Sequence, residues 1–238
     1  MPTLSQLSVR IFADGADRAA MLEMSMHPCI SGLTTNPSLM RQAGISDYRA
    51  FAREVLSQIR HKPVCFEVLA DDLPEMERQA LEIAAWGENV YVKIPVTNTR
   101  RESCQALIRQ LSDRRLKLNV TAVMTLEQVR EVAAALNPAV PSFVSVFAGR
   151  IADTGVDPLP MMAQALGILR DKPRAELMWA SSRELLNIFQ ADAIGCPAIT
   201  VTADIVRKLR RVGCDLADYS LETVQMFYDD ARLAGFRL

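Results

Sequence analysis

Asn89-Val90-Tyr91-Val92-Lys93-Ile94-Pro95-Val96-Thr97 carries apolar and β-branched residues on both faces of an extended chain. That pattern marks a strand buried on two sides, as in a parallel sheet covered by helices. Pro95 has no N–H to give to a ladder and stands where such a strand ends. Lys93 interrupts the apolar run. A charged ammonium held in apolar surroundings is costly unless it has a partner. One reading is that the group sheds its proton, leaving a desolvated amine able to attack a carbonyl and form a Schiff base. The other is a strand-end lysine whose ammonium reaches water or pairs with a carboxylate. This stretch alone leaves both open.

Working outward from it, strand patterns recur at 8–13, 29–33, 64–69, 117–123, 141–147, 176–180 and 198–201. Helical patterns lie between and after them, at 16–26, 47–60, 73–86, 101–113, 126–136, 158–170, 203–211 and 220–233. Strands alternating with helices predict one α/β domain over residues 1–238, a right-handed (β/α)8 TIM barrel with a C-terminal helix. No internal repeat, low-complexity segment or linker interrupts the alternation. The rival is an open doubly wound sheet, but no GxGxxG follows the first strand and no P-loop occurs anywhere.

A net charge of -1 over 238 residues leaves no broad basic field, which argues against nucleic acid or an anionic membrane as the main partner. No apolar run reaches membrane-spanning length, and no basic segment followed by an apolar core opens the chain, so a cytoplasmic location is expected. The five cysteines are odd in number and lack CxxC spacing, which suggests reduced thiols rather than disulfides or a zinc site. Only His27 and His61 are present, neither beside a partner motif, so no metal centre, triad or cofactor is expected.

In a barrel the residues in or just after successive strands meet at one mouth. Here these are Asp14, Asn36, Glu67, Lys93, Thr121, Arg150 and Ser181. Each also has a plainer reading. Asp14 or Asp17 equally well caps the first helix. Thr34-Thr35-Asn36-Pro37-Ser38 reads as a loop of fixed donors and acceptors suited to a polyol. Glu67 is a proton carrier if it points inward and an ion-pair partner if it faces a helix. Asn119 and Thr121 share a face of their strand. Arg150 follows Gly149, which lets the backbone turn closely beside an anion, or else it forms a surface ion pair. Ser181-Ser182-Arg183 joins hydroxyls and a guanidinium at a helix start, where an anion is favoured or a serine simply caps.

Taken together, Gly32-Leu33-Thr34-Thr35-Asn36-Pro37-Ser38, Val92-Lys93-Ile94-Pro95-Val96-Thr97, Ser145-Val146-Phe147-Ala148-Gly149-Arg150 and Ala180-Ser181-Ser182-Arg183 resemble the transaldolase family, in the family's order and over nearly the whole chain. The resemblance implies class I chemistry on sugar phosphates, needing no metal. Lys93 is then the Schiff-base lysine. Asp14 takes the C4 hydroxyl proton, and Glu67 and Thr121 hold a catalytic water. Thr34, Asn36 and Ser145 orient substrate hydroxyls, while Arg150, Ser181 and Arg183 match the phosphate-binding set.

Two branches of the family bear on the reaction. Fructose-6-phosphate aldolases, which release free dihydroxyacetone, resemble one another in having Gln at the position of Glu67, Ala at that of Ser145 and Tyr at that of Phe147. This chain has the transferase residues, which implies transfer of a dihydroxyacetone unit from a ketose phosphate to an aldose phosphate. Its length is nearer to the compact, aldolase-like branch. Val146 replaces a usual proline, and Ser182 replaces a common Phe and is expected to open space beside the anion site, where a sulfonated sugar is an alternative. A barrel that binds sugar phosphates without turnover is the non-enzymatic alternative. The helix around Leu221, Val224, Phe227 and Tyr228 presents an apolar stripe. It packs on its own barrel or, as in the compact branch, on a neighbour, so a homo-oligomer such as a pentamer or decamer is expected.

Overall fold

The computed structural model of the protein describes residues 4–237. Its strands are β1 (Arg10–Asp14), β2 (Ile30–Thr34), β3 (Val64–Glu67), β4 (Val90–Pro95), β5 (Leu118–Val123), β6 (Ser142–Val146), β7 (Ala175–Trp179) and β8 (Ala198–Thr202). They pair in sequence order, all parallel, and β8 returns to β1 from Arg10↔Ala198 to Asp14↔Thr202. The sheet is therefore a closed (β/α)8 barrel and not the open alternative.

The crossovers contain α1 (Arg18–Met26), α2 (Pro37–Gln42), α3 (Tyr48–Gln58), α4 (Leu73–Ala84), α5 (Gln105–Asp113), α6 (Leu126–Ala135), α7 (Ala148–Ala152), α8 (Leu159–Leu169) and α9 (Leu186–Ala193). After β8 come α10 (Ala203–Lys208) and α11 (Leu216–Leu233). Short polar side chains set where these helices begin. Asp17, Asp47, Asp72 and Asp215 each accept a backbone N–H at an N-terminus, and Thr125 with Gln128 forms a capping box.

Several boundaries differ from the sequence reading. Pro37 is the first residue of α2, with Asn36 as its cap, so the polar loop is shorter than expected. Residues 101–104 belong not to a helix but to a hairpin-like turn closed by the Thr97↔Ser103 bridge, with Arg101 at φ 64°. The helix at 148–152 was not expected at all.

Two apolar layers hold the barrel. Outside it, strand residues such as Val92, Ile94 and Val120 pack with Ile108 and Leu111 of α5 and their neighbours in one continuous core. Inside it, Phe12, Phe143, Met178 and Ala198 form a separate plug with Tyr91 against it. Phe12 and Phe143 meet edge to face with centroids 5.3 Å apart. Gly32 makes this possible, since a Cβ there would stand 2.3 Å from the Phe12 ring. The plug fills the barrel floor and leaves the polar side chains above it at the C-terminal mouth.

The C-terminal helix does not pack on the barrel. No residue of α11 is buried, and Leu221, Val224, Phe227 and Tyr228 are all more than half exposed. Arg211 pairs with Glu222 and holds the start of the helix near the barrel. Among the described residues no helix is long and apolar enough to cross a membrane.

Candidate active site

Lys93 points into the mouth from the middle of β4 and is only 6% exposed. Its Nζ lies 3.1 Å from Glu67 Oε2 and donates to the Thr35 carbonyl at 2.7 Å. Strand register explains the grouping. Glu67 of β3, Lys93 of β4 and Asn119 of β5 are direct neighbours across the sheet, and Thr121 stands opposite Pro95.

Asp14 ends β1 opposite Thr34 of β2. Thr34 Oγ1 donates to its Oδ1 at 2.7 Å and Asn36 Nδ2 to its Oδ2 at 3.2 Å. Asn36 is fixed in turn, because its Oδ1 accepts from Leu39 N at the start of α2. The cap of α1 is Asp17, which resolves the two readings of Asp14: it caps nothing and faces the mouth. Across the mouth, Ser145 Oγ donates to Asn119 Oδ1 at 2.7 Å, while Asn119 Nδ2 is buried without a hydrogen-bond partner among the described residues.

The charges correct one sequence expectation. Burial by itself drives the Lys93 amine toward neutrality, but Glu67 and Asp14 outweigh it and hold the group above its ordinary value. Lys93 is therefore an ammonium beside these carboxylates, not the free amine that desolvation alone suggested. Asp14 is also raised, mainly because burial penalises its charge more than Lys93, Thr34 and Asn36 favour it. Cys65, buried nearby, is pushed up to about 11 by burial and stays a thiol.

The opposite rim is cationic. Phe147 follows β6 at the N-terminal boundary of α7, and the Arg150 guanidinium sits 5.9 Å from the centre of its ring. Arg183 is held by both oxygens of Asp153, with Nε 2.9 Å from Oδ1. That pair lowers the Asp153 carboxyl and raises Arg183. Ser181 lies between them in the left-handed region, φ 64°. Gly149 does not serve a tight turn here. A Cβ on it would stand 1.6 Å from the Ser181 carbonyl oxygen, so it lets α7 and the 180–183 turn touch. Ser182, expected to open space beside the anion site, is buried with Oγ bonded to the Thr200 carbonyl.

A cavity of about 420 Å³ is lined by Asp14, Thr34, Asn36, Glu67, Lys93, Thr121, Ser145, Phe147, Arg150, Ser181 and Arg183. Every site residue expected from the sequence thus faces one space. Sequence reasoning left out Asn119 as a site residue, although its shared face with Thr121 was visible. It also missed Asp153, which no sequence signal links to Arg183. The result is a buried lysine flanked by two carboxylates at one end and two arginines at the other.

A family-wide sequence model described as Transaldolase/Fructose-6-phosphate aldolase matches residues 11–236. A probable transaldolase of Dehalococcoides mccartyi is 32% identical over 202 residues, covering 84% of this chain and 90% of that protein. One of Thermoanaerobacter sp. strain X514 is 31% identical over 231 residues, covering 97% and 100%. The fold is similar to the crystal structure of a dihydrodipicolinate synthase from Rhodopseudomonas palustris, with a TM-score of 0.56 at 14% identity over 93% of this chain and 80% of that one. With its barrel mouth built as described and this family match running almost end to end, the chain belongs to the transaldolase/fructose-6-phosphate aldolase family.

Proposed function

We propose that the protein is a transaldolase, moving a dihydroxyacetone unit from a ketose phosphate to an aldose phosphate through a Schiff base on Lys93. The observation that carries this reading is Lys93 Nζ, enclosed in the mouth 3.1 Å from Glu67 Oε2. The ammonium gives a proton to Glu67, and the freed amine attacks the C2 carbonyl of the ketose. Loss of water leaves an iminium. Asp14, whose affinity for protons burial raises, accepts the C4 hydroxyl proton. The C3–C4 bond then breaks, its electrons enter the iminium to give an enamine, and the first aldose leaves. The acceptor aldehyde adds to the enamine, Asp14 returns its proton to the new alkoxide, and a water held by Glu67 and Thr121 releases the product.

In this reading Thr34, Asn36 and Ser145 orient substrate hydroxyls and Arg150, Ser181 and Arg183 hold the phosphate, which is supported by their lining one cavity. Transfer is favoured over release because Phe147 offers no phenolic proton to the enamine. The test is borohydride reduction with fructose 6-phosphate, followed by peptide mass mapping. An adduct on Lys93 is expected, with little free dihydroxyacetone formed until an acceptor aldose is added. No adduct with any ketose phosphate would leave only sugar-phosphate binding.

The same reading includes a homo-oligomer. Its support is α11, whose apolar residues stay exposed on one chain, and the occupant assigned to them is a second copy.

A further inference from the structure

Strands β2 and β3 pair at Leu33↔Val64 and Thr34↔Cys65, and Thr35 N donates to the Cys65 carbonyl. In a parallel ladder the next bond runs from Glu67 N–H to the Thr35 carbonyl. That bond is replaced. The Thr35 carbonyl accepts Lys93 Nζ instead, at 2.7 Å. Glu67 N–H goes to the phenolic oxygen of Tyr48, at 2.8 Å, and the same hydroxyl donates to the Glu67 carbonyl at 3.0 Å.

We infer that Tyr48 is a positioning residue for the reaction. Its hydroxyl stands in for the missing ladder bond, so that one backbone carbonyl is free to orient the Lys93 amine while Glu67 stays anchored beside it. This inference rests on the Schiff-base reading of Lys93. A buried N–H deprived of its carbonyl needs another partner, and Tyr48 supplies the only side-chain oxygen bonded to it among the described residues. The ring is fixed from behind by edge-to-face contacts with Trp86, 5.4 Å away, and Phe66, 6.1 Å away. Burial keeps the phenol above its ordinary value, so it stays protonated and acts by place, not by proton transfer.

Without the hydroxyl, Glu67 N–H loses this partner, and the acceptor the ladder would otherwise give it is the Thr35 carbonyl that now holds Lys93. The loss then falls on the chemistry of the amine rather than on the grip on substrate, because no phosphate or hydroxyl contact passes through Tyr48.

The test compares the wild-type protein with Tyr48→Phe, which keeps the ring in place. Borohydride trapping of fructose 6-phosphate on Lys93 is followed as a function of pH, alongside kcat and KM for transfer. Tyr48→Phe is expected to slow trapping and kcat by roughly 10- to 100-fold, the scale of small misplacements of reacting groups. It is also expected to displace the pH midpoint of trapping and to leave donor KM within about twofold, since ground-state contacts are untouched. If Tyr48→Phe does not fold, 4-aminophenylalanine at Tyr48 replaces it, retaining a donor with a weaker acceptor, and a partial form of the same loss is expected. A folded variant with unchanged pH profile and kcat overturns the role of Tyr48 and leaves the Schiff-base reading standing. A wild-type protein that traps nothing at Lys93 overturns both, and the wild-type measurement alone distinguishes that failure.

Discussion

Glu67 Oε2 stands 3.1 Å from Lys93 Nζ, side by side in the register of β3 and β4. Each group makes the other's burial tolerable, for an ion pair in a secluded site loses far more when one partner is removed than when both are. Lys93→Met is therefore expected to abolish borohydride trapping and reduce transfer by about 10³-fold or more, as loss of a covalent nucleophile does. It should also lower stability by about 1–3 kcal/mol through the stranded carboxylate. Adding Glu67→Gln to Lys93→Met should recover much of that stability and none of the activity. Urea unfolding of the two variants checks this, and a double variant no more stable than the single one would break the argument.

Asp14 is raised above its ordinary value by burial, so its ionised form is less welcome in the folded protein than in the unfolded chain. The stability it contributes is whole in acid, below the unfolded carboxyl value, and is lost as pH rises through the folded value. Asp14→Asn removes the titration. Its thermal midpoint is expected to match the wild type in acid and to exceed it at neutral pH, by a few degrees for each ~1 kcal/mol in a chain of this size. Activity should fall sharply. Equal midpoints across the whole pH range would show that the buried charge is not a burden.

Gly149→Ala places a methyl group where the Ser181 carbonyl oxygen now lies, 1.6 Å from the added carbon. Backbone must separate from backbone, at about 1–3 kcal/mol. Arg150 and Ser181 move apart as it does. The expected signature is a raised KM for phosphorylated donors, larger than the change in kcat, in a protein that still traps ketose at Lys93. An unchanged KM would mean that the rim is not the anion site.

Phe227→Asp and Val224→Asp alter side chains that touch no core of their own chain. Analytical ultracentrifugation is expected to show a smaller particle for these variants than for wild type, with the same circular dichroism and thermal unfolding within about 0.5 kcal/mol, the usual range for surface changes. A wild-type protein sedimenting as a monomer would remove the second copy from α11.

Much of this was legible in the residues. The two-sided apolar pattern around Lys93 and its repetition announced the barrel because burial on both faces leaves few other solutions. Strand ends located the mouth, and every expected site residue lines it. What stayed hidden depended on pairings across the sequence. The protonation of Lys93 is decided by Glu67 and Asp14, and their distances no local pattern contains. Arg183 is fixed by Asp153 from another crossover. The role of Gly149 was misread because a glycine signals freedom of the chain as readily as proximity to it, and only three-dimensional contact separates the two.

Closure of the sheet between β1 and β8 joins Asp14, near the start of the chain, to Thr202, near its finish. Ser8 and Val9 are tethered to the Asp192 carboxylate in the same seam. During synthesis the first strand thus waits for the last with its hydrogen-bonding groups unmet, and a truncated product exposes two raw margins of sheet. Chains stopped before β8 thus carry two unpaired edges open to a neighbour's strand, whereas the closed ring presents none.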